Sequence, residues 1–440
     1  MARPSSLVQA AEIIASSAHV KPVGSLHSFT GIVRSEGTTL VTDRLPRDVR
    51  WVGEDPARPG WHRVRVEGHQ PMKRAMDRMN ALGLALDNSG SNVRPSVIGA
   101  LATATHGSGE HWPGLAHPRS VLAVEGIDGR GNLFRRDSER PEDHADLRAL
   151  RGNLGGLGLV TAVELSVRRA YRLRMDGRLG TLAQALDPVE RAPALRRYEV
   201  LWWPLDEVAL RLYRDETLEP LTMGRGLSAI VDEIIVGNLA LGTLLKGAWA
   251  LGGGEAVRRV WSWILPNLPE DDTDYVDTWV GGLTGVRWFR AVSLEAAVPA
   301  HRLGEALEVV ARLASEWHAS GRYTVDLPVN VRWSQSDGDT CMSAAHGRAT
   351  AWVDVSATNF APPEKVGPFL AAVDEALTAF DSRSHPGKVH WCNPKSRWDP
   401  ECWSHYWQVR DRFDPEQKFL SAHLRALRDG VDLDPGLPRF

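Results

Sequence analysis

The sequence predicts an α+β protein built as two lobes, and three features predict it. Up to residue 170, short strand and helix patterns alternate irregularly and are punctuated by glycine turns, unlike the regular strand–helix–strand alternation of a doubly wound sheet. Beyond residue 170 the composition changes. Fourteen of the 17 tryptophans lie there, which points to a second core. Long amphipathic helices flank strands through residue 382, and residues 383–440 turn helical again. The expected divisions are therefore 1–170, 171–382 and 383–440.

The elements follow in order. Ser6 to Gln9 fits a capping box, and Leu7, Ala10, Ala11 and Ile14 then make an apolar helical face. Val20 to Val23 reads as a strand running into Gly24, and His62 to Val66 alternates as a strand does. Met72, Ala75, Met76, Met79 and Leu82 mark a helix that Gly83 ends. Val121 to Ile127 is a strand turned by Asp128-Gly129, and Leu159 to Val167 is another. In the second lobe, strands are expected at Glu199–Trp203, Val329–Trp333 and Ala351–Ser356. Helices are expected at His301–Trp317, Glu364–Phe380 and Trp403–Phe413.

Composition bounds the function. The chain has 440 residues, 43% hydrophobic and 24% charged, with a formal net charge of -3. That profile is globular and gives no reason to expect nucleic acid or an anionic membrane as a partner. Three cysteines, Cys341, Cys392 and Cys402, form an odd, sparse set that argues against a disulfide framework and a zinc ribbon. Fifteen histidines are scattered without ligand spacing, so no metal is expected. Met1 to Ser17 lacks the charged and apolar regions of a secretory signal, and a cytoplasmic location is the default expectation. Ile234 to Leu251 is largely apolar but carries Asn238 and Lys246. It reads as a buried or interface helix rather than a span, with peripheral membrane contact as the alternative.

Four stretches can carry chemistry. Gly24-Ser25-Leu26-His27-Ser28-Phe29 follows a strand, where successive backbone N–H groups can converge on an anion. Read alone, the stretch favours a tight turn with a surface histidine. The run Asp87-Asn88-Ser89-Gly90-Ser91, with Ser96, Gly99 and Thr103-Ala104-Thr105-His106-Gly107-Ser108-Gly109, is small and hydroxyl-rich. It suits close approach of a large flat ligand, or a loop over a sheet edge. Gly152 to Gly158 leads into the strand Leu159–Val167 without the G-x-G-x-x-G spacing of a dinucleotide fold. Last, Asn330-Val331-Arg332 lies on a strand and Arg383 to Trp391 forms a loop with Lys388. A strand arginine needs an anionic or carbonyl partner, and a lysine at a cleft can act on a hydroxyl or an oxyanion. Salt bridging is the structural alternative for both.

In this order, these motifs resemble the FAD-linked oxidases of the vanillyl-alcohol oxidase superfamily, and within it the sugar-lactone and alditol oxidase branch. Gly24 to Phe29 is similar to the branch's G-S-G-H-S-F, with Leu26 for glycine. Thr103 to Gly109 is similar to T-G-T-H-G-[ST]-G, with Ala104 for glycine. Leu154 to Gly158 looks like L-G-x-L-G, with Val160 on the following strand, and Arg410 to Leu420 looks like the closing R-D-R-x-D-P-x-x-x-F-L. The resemblance implies an FAD domain over 1–170, a cap over 171–382 that binds substrate, and a C-terminal segment that completes the FAD domain. It implies FAD contacts at Gly24, Ser25, Leu26, His27, Ser28, Phe29, Gly90, Ser91, Ser96, Gly99, Thr103, Ala104, Thr105, His106, Gly107, Ser108, Val160 and Lys388, with the flavin bonded covalently to His27. Gly90 falls at the family's gatekeeper, where glycine is associated with O2 access.

Departures fall in the substrate pocket. The cap strand E-x-R reads Asn330-Val331-Arg332, a strand histidine is expected near Ser356, and R-P-H-W-G-K reads Arg383 to Lys388 with Pro386 for tryptophan. The pocket is thus expected to lack acidic and imidazole groups. The function implied is FAD-dependent oxidation of a CH–OH group on a sugar, polyol or sugar-bearing metabolite, hydride passing to the flavin and O2 becoming H2O2. Lys388 would polarise the hydroxyl or accept its proton, Arg332 would stabilise negative charge, Ser91 would bind substrate or flavin, and Asn330 would stand where the family keeps its glutamate. The alternatives are a dehydrogenase with another electron acceptor, or a flavin-binding protein of altered or lost activity.

Overall fold

The computed structural model describes residues 1–191, 196–222, 240–267, 274–285 and 290–433. The first lobe begins with the helix Leu7–Ser16. Ser6 caps it by accepting from the Gln9 N–H. The reciprocal half of the expected box differs, because Gln9 Oε1 takes the Ser5 N–H and not that of Ser6. A parallel pair follows, β1 (Val20–Val23) on β2 (Thr38–Val41). The main sheet of this lobe comprises β3 (Val49–Glu54), β4 (His62–Glu67), β5 (Leu84–Ala85), β6 (Val121–Ile127), β7 (Leu133–Asp137) and β8 (Leu159–Arg169). Its order is β3-β4-β8-β6-β7, with β5 on β8. Central β8 is buried along its first nine residues, as a doubly covered strand must be. The helix Met72–Ala81 packs Met72, Ala75, Met76 and Met79 inward, and Gly83 at φ +72° ends it. Leu82 departs from its expected place on that face. It is the C-cap residue and 40% exposed.

The second lobe is one antiparallel sheet of eight strands. These are β9 (Arg172–Thr181), β10 (Arg197–Trp203), β11 (Val208–Thr217), β12 (Tyr275–Thr278), β13 (Ala291–Pro299), β14 (Val329–Ser334), β15 (Thr350–Thr358) and β16 (Arg383–Ser384). Their order is β12-β9-β11-β10-β14-β15-β13-β16. Strand residues alternate faces, and register aligns like with like. Val200 faces Val331, which faces Val353, which faces Ala296. This apolar face packs against the helices Leu303–Ala319 and Pro363–Leu377, through Leu307, Val310, Phe369 and Leu370 among others. Each such buried aliphatic side chain contributes on the order of 1.5–3 kcal/mol. The opposite face is polar and looks toward the first lobe.

Two of the links between the lobes involve backbone pairing and the C-terminal segment. The Gly109 N–H donates to Trp333 O, beside a bridge from Gly109 to Ser334 at the end of β14. The C-terminal segment does both jobs: β16 pairs with β13 of the second sheet, while Cys402, Trp403, Tyr406 and Phe413 of the helix Pro400–Phe413 join the core of the first lobe. Cys341 and Cys402 form a disulfide, with Cα atoms 4.9 Å apart. This corrects the expectation drawn from cysteine spacing. The pair is 61 residues apart in sequence, and only folding brings a loop after β14 onto that helix.

Of the apolar stretch Ile234 to Leu251, residues 234–239 lie outside the described residues. The remainder starts the helix Leu241–Ile264, which kinks at Gly253 and buries Leu245, Ala248, Val257 and Trp261. Among the described residues, no helix is long and apolar enough to cross a membrane.

Candidate active site

The polar face of the second sheet concentrates charge. Glu199 on β10 sits opposite Arg332 on β14, Asn330 opposite Asp354 on β15, and Asp354 opposite Glu295 on β13. Glu199 Oε1 accepts from Asn330 Nδ2 at 2.6 Å and from Arg332 Nη2 at 2.9 Å, and Arg214 Nη2 lies 2.9 Å from its other oxygen. Burial by itself would raise the Glu199 pKa, but the two guanidiniums and the amide outweigh it and hold the carboxyl well below the usual range. Arg332 also donates to Ser91 Oγ at 2.9 Å, which ties the sheet to the first lobe.

A narrow polar pocket opens here, lined by Asn88, Ser89, Ser91, Gly107, Ser108, Arg197, Glu199, Arg214, Leu283 and Arg332. Close packing shapes its wall. A Cβ on Gly107 would stand 2.2 Å from the Asn88 side chain, and one on Gly90 would stand 2.9 Å from Thr105 Cγ2. Ser108 Oγ donates to Tyr198 O, which fixes the loop against β10.

Lys388 forms a second charged group on the same face. Its Nζ donates to Ser293 Oγ at 2.5 Å and to Asp354 Oδ2 at 2.8 Å, and Glu295 lies at 3.7 Å. Ser356 Oγ donates to Asp354 Oδ1 at 2.6 Å. Burial lowers the lysine pKa, yet Asp354 and Glu295 more than offset it and keep the ammonium above its ordinary value. The pocket therefore does not lack acidic groups, as the departures at Asn330 and Ser356 had suggested. Glu199 lines it, and Asp354 and Glu295 lie on neighbouring strands of the same sheet face.

The remaining motif residues fall around this face. The Phe29 N–H donates to Gly387 O at 2.8 Å, and Lys388 Nζ lies 5.8 Å from the Phe29 ring. So the turn Gly24–Phe29 and the Lys388 loop meet. Gly24 lies so near Ser96 that a Cβ would come within 2.4 Å of its Oγ, and Ser96 caps the helix Val97–Ala102 by accepting from the Gly99 N–H. Ser25 Oγ is 3.3 Å from His69 Nε2. Leu26 and Ala104 both adopt left-handed backbone, at φ +56° and +51°. His27 is exposed and its ring takes no hydrogen bond among the described residues. Partial desolvation, and secondarily Arg94, lower its pKa. Thr103 Oγ1 donates to Gly99 O, and the Thr105 N–H to Ala100 O. Ser28 lies near Gly387. Val160 lies on β8 opposite Gly126, in the same core cluster as Ala104.

His106 is buried and turned toward the second sheet, not the cavity. It stacks on Trp352 at 3.6 Å and lies 3.2 Å from Glu295. His106, Glu295 and His385 offer ligand atoms within 4.8 Å of one another. The hydrogen bonds argue against a metal there. His385 Nδ1 accepts the Gly387 N–H, which leaves the proton on Nε2 and closes that nitrogen to a cation.

Comparison with known proteins settles the family. The model of D-arabinono-1,4-lactone oxidase matches residues 163–427, and that of an FAD binding domain matches residues 2–136. The chain belongs to the D-arabinono-1,4-lactone oxidase family. It is 26% identical to the L-gulono-1,4-lactone dehydrogenase of Mycobacterium tuberculosis, over 97% of this chain and 95% of that one. To the alditol oxidase of a Streptomyces species it is 28% identical, again over 97% and 95%. The cholesterol oxidase of B. sterolicum superposes with a TM-score of 0.73 at 14% identity, covering 97% of this chain and 93% of that one, which shows the shared fold. The chain is accordingly an FAD-dependent oxidoreductase with a two-lobed α+β fold.

The residues present fit that cofactor. Glycine at 24 and 107 allows backbone approach that any side chain would block. Gln70 Oε1, buried beside the Ser96 turn, has no hydrogen-bond partner among the described residues and is free to meet a ligand donor.

Sequence reasoning missed Glu199, Arg214, Asp354 and Glu295. A partial signal existed for Glu199, a carboxylate inside the apolar strand Arg197–Trp203, but its partner depends on register between strands far apart in sequence.

Proposed function

We propose that this oxidoreductase oxidises a CH–OH group on a small polyol or sugar lactone, with FAD joined covalently to His27 and O2 as the electron acceptor. The observation that carries this reading is the Ser91–Arg332–Glu199 chain that lines the pocket, with Lys388 on the same sheet face. Its hydroxyl and guanidinium donors suit the oxygens of a sugar-like molecule.

FAD, when bound, supplies the two-electron acceptor. Gly24 to Phe29, Ser96, Gly99 and Thr103 to Ser108 would hold it, and the exposed, unpaired His27 imidazole is suited to form the flavin bond. Arg332, fixed by Glu199, orients substrate oxygens and offsets developing negative charge. Asn330 and Glu199 together stand where a single acid would otherwise serve. Lys388 donates to the reacting oxygen.

A second reading, a dehydrogenase that uses another acceptor, is favoured by the name of the mycobacterial relative. Two measurements test the proposal. Acid precipitation of the purified yellow protein should leave flavin in the pellet. Anaerobic mixing with polyols and lactones should bleach it, and O2 should restore the colour within seconds. Recovery with a quinone or dye but not with O2 would transfer the assignment to the dehydrogenase.

A further inference from the structure

An alcohol oxidation must dispose of the hydroxyl proton, and four ionisable groups on the sheet face compete for it. Glu199 is a poor acceptor, since the Arg332 and Arg214 guanidiniums and the Asn330 amide all stabilise its carboxylate form. Glu295 is buried and bonded to His106. Lys388 carries three N–H donors and no lone pair while it is an ammonium, and Asp354 and Glu295 hold it in that state. Two of its donors go to Ser293 and Asp354. The third is free to point at a substrate oxygen.

Asp354 differs from all of these. Its side chain keeps 15% exposure, beside a Lys388 side chain at 24%. Each oxygen makes one short hydrogen bond, Oδ1 from Ser356 and Oδ2 from Lys388. A carboxylate oxygen accepts two, so lone pairs remain next to the place where the ammonium would hold the substrate oxygen.

We propose that Asp354 accepts the substrate hydroxyl proton, while Lys388 holds the substrate oxygen as a fixed donor and Ser356 orients the carboxylate. This rests on the CH–OH oxidation proposed above. The O–H bond breaks and its proton passes to Asp354. The oxygen electron pair forms the carbonyl π bond, and the C–H hydrogen departs with its electron pair to the flavin, the two-electron oxidant. Asp354 then returns its proton to solvent. The charged and titratable groups facing it are Lys388 from its loop, Glu295 on β13 and Arg332 on β14, with His106 and His385 behind Glu295.

The test is anaerobic stopped-flow reduction of the holoenzyme by L-gulono-1,4-lactone and by sorbitol, from pH 7 to the alkaline limit of stability. The wild-type rate constant should be flat over that range. Asp354→Asn, nearly isosteric and able to keep the Lys388 contact, should slow reduction by about 100-fold or more at every pH, with its flavin spectrum unchanged. Asp354→Glu should recover part of the rate. A wild-type rate that climbs on the alkaline side, with that limb moved to lower pH in Asp354→Asn, would make Lys388 the acceptor and overturn the proposal. An unchanged rate in Asp354→Asn overturns it as well, and leaves the oxidation reading intact. A wild-type flavin reduced by neither probe overturns the oxidation reading itself.

Discussion

Glu199 and Arg332 face each other directly on neighbouring antiparallel strands, and the guanidinium Nη2 stands 2.9 Å from the carboxylate. Arg214 approaches the same carboxylate from β11 at 2.9 Å. One buried anion thus holds two cations on the face that lines the cavity.

Removing that anion leaves the cations uncompensated. Glu199→Gln should cost about 3–5 kcal/mol of stability at neutral pH, read as a fall in the urea midpoint. The pH dependence has a definite sign. The Glu199 pKa is lower folded than its unfolded value of 4.5, so its contribution is complete above pH 4.5 and is lost as pH falls through the folded value. The gap between wild type and variant should narrow only below pH 4.5. A gap that stayed constant into strong acid would show that the charge is not its source.

His27 is the exposed imidazole of the turn beside the Lys388 loop. His27→Ala should keep the fold and bind FAD without a covalent bond. After acid precipitation, flavin should move from pellet to supernatant. If the flavin stays with the precipitated variant, another residue carries the link.

Leu26 adopts φ +56° with its side chain 62% exposed. Left-handed backbone costs a residue with a Cβ about 1–2 kcal/mol, and glycine returns part of that gain through unfolded-chain entropy. Leu26→Gly should therefore stabilise the protein by about 0.5–1 kcal/mol. A lower urea midpoint would mean that the leucine side chain makes contacts worth more than the backbone strain.

Cys341 and Cys402 close a loop of 61 residues between the second lobe and the C-terminal helix. Loop-closure entropy puts the loss on breaking such a link at about 4 kcal/mol. Cys341→Ser should lower the denaturation midpoint accordingly, and reductant should lower the wild type toward the variant. A midpoint equal to that of the oxidised wild type would show that the bridge adds nothing.

The elements with strong local signals were legible in the sequence. Val20–Val23, Val121–Ile127 and the Met72–Ala81 helix fall where periodicity and turn residues put them. Leu82 did not follow the helical face, because Gly83 turns the chain away just where that residue would pack. The second lobe was legible as strands and helices, and not as a sheet with one polar face. The pairing that builds the site, Glu199 with Arg332, joins residues 133 positions apart.

By itself, the sequence determined which turns carry glycine and small hydroxyl residues, which strand bears Arg332, and which loop bears Lys388. Those features depend on local backbone freedom and on spacing along the chain. Their order was enough to mark the family. Only the tertiary structure decided that Glu199 bonds Asn330 and Arg332, that Asp354 bonds Lys388 and Ser356, and that Cys341 meets Cys402. The physical reason is register. Cross-strand neighbours share a face only once the strands have paired, and no pattern within one strand names the residue that will stand opposite.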